Sequence, residues 1–120
     1  MARRLNRTIT IAAGTPINAV TGTTTGPAAG SQPVWASRYF VQMLIGGTGY
    51  GLVYDGVPIS RPPVAGDLTA QLATPSDSAP GGSYEDWDKS LDRGGIDMNE
   101  VWIDGSHTGD TVAVSFVPKV

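Results

Sequence analysis

The sequence predicts an all-β fold, a single β-sandwich domain, with the jelly roll as one form of it. Its apolar residues come in short runs, several of which alternate with polar residues. The runs are separated by Gly, Pro, Asp-Gly and Ser/Thr clusters, the pattern of strands and turns. Gly (16) and Pro (9) are abundant, and only 16% of residues are charged, against roughly a quarter in ordinary soluble domains. At 120 residues the chain fits one domain, residues 1–120, able to bury roughly two-thirds of its unfolded surface.

The elements follow in order. Arg3, Arg4 and Arg7 make residues 1–7 a basic N-terminal arm. Leu5 to Ala12 alternates, with Leu5, Arg7, Ile9 and Ile11 on one face and Asn6, Thr8 and Thr10 on the other, as in a strand with one wet side. Gly14-Thr15-Pro16 punctuates, and Ile17 to Val20 forms a second short strand. Thr21 to Pro33 has no large apolar residue and no charge. Such a stretch cannot offset its ordering entropy alone, so it reads as a mobile loop or one ordered by a partner.

Arg38 to Ile45 is the strongest strand. Tyr39, Val41, Met43 and Ile45 share one face, and Phe40, Gln42 and Leu44 the other. Apolar groups on both faces predict a central core strand or one packed between layers. Gly46-Gly47-Thr48-Gly49 then turns the chain, and Tyr50 to Asp55 reads as the returning strand of a hairpin. The prolines of 57–66 exclude a central strand there. Asp67 to Ala73 fits one helical turn or a strand, and its neighbours favour the strand. Thr74 to Tyr84 is a loop. Val101 to Asp104 and Thr111 to Val117 are strands joined as a hairpin by the 105–110 connection, with Val112, Val114 and Phe116 facing in.

Composition removes several function classes. The chain has no cysteine, hence no disulfide, thiolate zinc site or cysteine nucleophile. No apolar run reaches the roughly 20 residues of a membrane span. Ile9 to Ala13 is too short and too Thr-rich for a signal-peptide core. A chain soluble and cytoplasmic at synthesis is expected.

Catalytic and cofactor motifs fail one by one. Gly46 to Gly51 lacks the G-x-G-x-x-G spacing and a following Lys-Ser/Thr, so it is a turn rather than a phosphate loop. Ser106, His107 and Asp110 lie too close in sequence to form a triad supported from separate elements. Asp86 and Asp88 could mimic a glycosidase pair, but neighbours on one loop lack a cleft. Asp86, Asp88, Ser90, Asp92 and Asp97 match a Ca²⁺-loop template only in part, with Leu91 where Gly is required. The expectation is no enzyme, no cofactor and no metal.

Contact residues remain. Net charge is −3, and eight of the eleven acidic residues fall between Glu85 and Asp110. A basic arm and an acidic segment can complement each other within or between copies. Trp102 is out of phase with Val101 and Ile103. If those two face the core, Trp102 faces out and requires cover. Arg3, Arg4, Arg7 and Trp102 are therefore the candidate interaction residues. Three arginines without interleaved aromatics on an acidic chain are poor support for nucleic-acid binding.

The run GGTGYGLVYDGVPIS, then DLTAQLATPSDSAPGGSYEDW, then GGIDMNEVWIDGSHTGDTVAVSFV, resembles small virion proteins of tailed bacteriophages. The opening RTITIAAGTPINAV is similar to the first strand of the same proteins. The resemblance covers most of the chain and rests on strand patterns. It implies a capsid decoration (cement) protein on the outer capsid surface, assembled from the host cytoplasm. Its partners would be the major capsid protein and other copies of itself, as homodimer or homotrimer, with no membrane. Rival readings are a minor virion component at the neck, head–tail joint or fibre base, and a host-surface carbohydrate-binding module using Trp87 among Glu85, Asp86 and Asp88.

Overall fold

Two antiparallel sheets pack face to face in the computed structural model, which describes residues 5–87 and 95–119. The strands are β1 (Leu5–Thr10), β2 (Ile17–Asn18), β3 (Trp35–Met43), β4 (Gly51–Tyr54), β5 (Leu68–Leu72), β6 (Ser83–Trp87), β7 (Ile96–Asp97), β8 (Trp102–Gly105) and β9 (Thr111–Pro118). The larger sheet has the order β1-β9-β3-β6, with β7 joined to the start of β3. The smaller sheet has the order β2-β8-β4-β5.

The pairs β1·β9, β2·β8, β3·β6 and β4·β5 are those of one long antiparallel ribbon folded back at β4–β5. Rolling that ribbon brings β9 against β3 and β8 against β4. This is the jelly-roll topology, and it realises the predicted sandwich. β3 is central in its sheet, as its two apolar faces predicted.

Alternation places the core. Ile9, Val41, Met43, Val112 and Val114 from the larger sheet meet Val53, Leu72 and Ile103 from the smaller, all buried. Phe116 packs against this core while half-exposed. Ile45 lies beyond the end of β3 and is exposed rather than core-facing.

The predicted hairpins of 38–45 with 50–55 and of 101–104 with 111–117 do not form. β8 and β9 lie in different sheets. β3 and β4 do so too, and the Gly46–Gly49 turn carries the chain across the sandwich. One buried carboxylate sets this crossing. Asp110 accepts from the Thr48 N–H at 3.1 Å and the Gly49 N–H at 2.8 Å. Gly46 adopts φ +88°, a left-handed conformation that glycine takes without penalty.

Ser83–Trp87 was expected to be loop and acidic surface, yet it forms the edge strand β6. The 5–7 part of the expected arm is strand β1, with Arg7 opposite Val114. Arg3 and Arg4 lie outside the described residues, as do Asp88, Ser90 and Asp92 of the Ca²⁺-loop pattern.

Candidate interaction surface

Trp102 answers to its strand phase but not to its predicted role. It lies on the opposite face of β8 from Ile103 and is 2% exposed. It packs with Tyr54 and Val57 in a small second cluster on the outside of the smaller sheet. Cover comes from the chain itself, through 24–28 and 59–62 around the indole. A Cβ added at Gly26 would stand 2.9 Å from Trp102 Cζ2, so only glycine permits this approach. Trp102 is thus a packing residue and not an available contact. Its Nε1 is the one buried side-chain nitrogen or oxygen among the described residues without a hydrogen-bond partner.

The 21–33 segment is ordered by its own polar groups. Thr21 and Thr23 hydroxyls donate to the Thr25 carbonyl at 2.7 and 3.1 Å. Buried Asn18 accepts from the Val20 and Thr21 N–H groups and donates to the Asn99 carbonyl. Asn99 in turn donates to the Gln32 carbonyl at 3.0 Å. Beside the Trp102 cover, Arg61 forks onto Asp67 at 2.6 and 3.1 Å, and this holds the Asp67 carboxyl down at about 2.

Ser106 and Asp110 of the 105–110 turn do structural work. Ser106 Oγ accepts from the Tyr50 N–H at 2.9 Å, and Asp110 holds the 48–49 turn. Asp97 accepts from the Val34 and Asn99 N–H groups, both at 3.0 Å, which gives this member of the Ca²⁺-loop pattern a capping role.

Sequence reasoning missed a carboxyl pair. Asp86 lies directly opposite Tyr39 across β3 and β6. The Tyr39 hydroxyl donates to Asp55 Oδ2 at 2.7 Å, and the Asp55 and Asp86 side chains come within hydrogen-bonding reach. Burial pushes the Asp55 carboxyl up from its ordinary value, the Tyr39 hydroxyl opposes this, and the Asp86 charge adds to the rise. Burial, then Asp55, also push the Tyr39 phenol up. The pair joins an edge of the larger sheet to the end of β4 in the smaller one. Asp86 therefore partners Asp55, rather than Asp88 as in the glycosidase-like pairing.

Exposed apolar groups gather toward one end of the larger sheet. Leu5 begins β1, Trp35 begins β3 and Trp87 ends β6, with exposures of 42%, 40% and 60%. Alternating strand directions put all three toward the same end. A cavity of about 170 Å³ opens there between the sheets, lined by Leu5, Arg7, Val20, Val34 and Phe116 among others. Arg7 is exposed, and its guanidinium lies against Gly22. Among the described residues no helix is long and apolar enough to cross a membrane, and no group of three or more His, Asp or Glu gathers as metal ligands. Compared with known proteins, the chain matches no family model, no curated protein and no solved structure.

Proposed function

We propose that this protein is a capsid decoration (cement) protein of a tailed bacteriophage, seated on the outer shell and bridging neighbouring capsid subunits. The observation that carries the reading is the set of large apolar groups exposed toward one end of the larger sheet, Trp35 and Trp87, with Leu5 lining the apolar cavity at that end. Large exposed apolar groups on a polar surface are typical of protein contacts. The strand patterns that resemble phage virion proteins point the same way. Many weak contacts repeated around a shell would supply avidity.

The test is copy number. The chain is quantified against the major capsid protein in purified particles of the parent virus. A ratio comparable to the capsid protein is expected. A few copies per particle would move the protein to the neck or fibre base, and absence from the particle would overturn the reading. A second reading, glycan binding, is favoured by one observation: Trp87 is 60% exposed and shares the outer face of β6 with Glu85. A glycan array with the purified chain decides it.

A further inference from the structure

We propose that copies of this protein associate head to tail through the two edges of the larger sheet, β1 of one protomer pairing antiparallel with β6 of the next, with Arg7 opposite Asp86. This deepens the reading above by naming the surface through which copies meet, and its test needs no virus particle.

Edge protection differs between the sheets. Natural sheets blunt their edges with short strands, bulges, prolines and charges. The smaller sheet does so: β2 has 2 residues, and the β4–β5 register shifts between Val53 and Tyr54. The larger sheet carries only charges there, opposite in sign on its two edges: Arg7 on β1, and Glu85 and Asp86 on β6. β1 and β6 contain no proline, and their registers with β9 and β3 run without a shift. Both are outermost strands.

Strand direction suits a head-to-tail contact. Neighbours in the order β1-β9-β3-β6 are all antiparallel, so β1 and β6 run in opposite directions. A second protomer in the same orientation then offers its β1 antiparallel to the first protomer's β6. The junction continues the alternation of the sheet.

Side-chain phase narrows the register. Ile9 is buried, so Arg7 lies on the inner-facing side of β1. Tyr84 and Asp86 lie opposite the buried residues Val41 and Tyr39, so they face inward on β6. The register with Arg7 opposite Asp86 matches these faces and pairs all of Ser83–Trp87 with Asn6 to Thr10. It sets Ile9 beside Tyr84 on the inner side and Thr8 beside Glu85 on the outer side.

Charge supplies the selectivity. Asp55 and Asp86 face each other at the β6 edge, and Arg7 is exposed at the β1 edge. Among the described residues neither carboxylate has a cationic partner within ion-pair distance, nor Arg7 an anionic one; the ion pair there is Arg61–Asp67. Head-to-tail pairing brings the unmatched charges together. The contact is heterologous, so it closes a ring of copies or runs on as a filament, and it makes no two-fold dimer.

The test follows the mass of the purified full-length chain by sedimentation velocity over a concentration series, with circular dichroism to verify folding. Wild-type mass is expected to rise above that of a monomer. Arg7→Glu and Asp86→Arg should each weaken association roughly tenfold or more through like-charge contact. An equimolar mixture of the two should restore it, as should both changes in one chain. If either variant misfolds, Arg7→Gln and Asp86→Asn replace them, with partial weakening expected. A wild-type monomer at every concentration up to its solubility limit overturns the proposal. So does Asp86→Arg associating like wild type, since pairing between two β1 edges would ignore that change. A mixture of folded variants that stays monomeric overturns it too.

Discussion

Replacing Asp110 tests whether the crossing between sheets is held by one carboxylate. In the native protein this side chain is buried and accepts from the N–H groups of Thr48 and Gly49, the shortest contact being 2.8 Å. Hydrogen bonds to a charged group contribute about 1.5–3 kcal/mol each, and a buried donor left unpaired costs its full desolvation. Two such donors set an upper range of about 3–6 kcal/mol. Water can reach the exposed Thr48 side of the turn, so Asp110→Ala should cost about 2–4 kcal/mol. That is a large share of the roughly 5–15 kcal/mol that stabilises a typical domain. Asp110→Asn keeps one acceptor oxygen and should lose about half as much. Ser106→Ala removes the more exposed acceptor on the same turn and should cost under about 0.5 kcal/mol. Urea unfolding followed by tryptophan fluorescence measures all three. A loss below about 1 kcal/mol for Asp110→Ala would refute the reasoning, because the turn would then be held by something other than this carboxylate.

The remaining predictions concern the carboxyl pair and the indole. Asp55 has a raised folded pKa, chiefly through burial, so its contribution to stability is full below the unfolded carboxylate value of about 4 and is lost as pH rises through the folded value. Asp55→Asn should therefore raise the Tm at pH 7–8 and flatten its decline above pH 4, as read by thermal melts across pH. Tyr39→Phe removes the 2.7 Å donor to Asp55 and should cost about 1.5–3 kcal/mol; a melt unchanged at neutral pH would contradict that bond. Trp102→Phe deletes the unpartnered Nε1 while keeping most of the ring, so denaturation should show it nearly neutral beside a loss of about 3–5 kcal/mol for Trp102→Ala.

Much of the fold is legible in the sequence because alternation reports burial directly. The core strands carry inward apolar residues at every second position, and their placement follows. Pairing partners are a different matter. A Gly-rich turn between two alternating runs looks the same whether the second run returns beside the first or crosses to the facing sheet. Here Asp110, distant in sequence, sets the crossing. Strand β6 hides for another reason: as an edge it offers only Tyr84 and Asp86 inward, and its acidic residues resemble a solvated loop. The Thr21 to Pro33 segment looked unable to order itself, yet hydroxyl-to-carbonyl bonds and the approach of Gly26 to Trp102 do so. Of the residues proposed to meet between copies, Arg7 stands out in the sequence by its charge. Asp55 does not, because its partner Asp86 lies on the other sheet.

Association and proton release should be coupled. In the free protomer the Asp55 carboxyl, facing Asp86, Tyr39 and Tyr84, holds its proton above the ordinary range. Docking Arg7 of a second copy beside Asp86 places a cation next to the pair and favours its ionised form. The associated state then binds fewer protons than the free protomers, so by linkage association must strengthen as pH rises through the free protomer's Asp55 value and level off above it. The isolated protomer loses stability over the same interval, so the two trends have opposite signs and one origin. Sedimentation velocity at pH 5 and pH 8, at fixed ionic strength, should show heavier species at pH 8 for the wild type. Asp55→Asn should remove most of the difference. Equal association at both pH values, or a pH response untouched by Asp55→Asn, would separate the carboxyl pair from the edge contact. Arg7 would then have to find its partner elsewhere on the neighbouring copy.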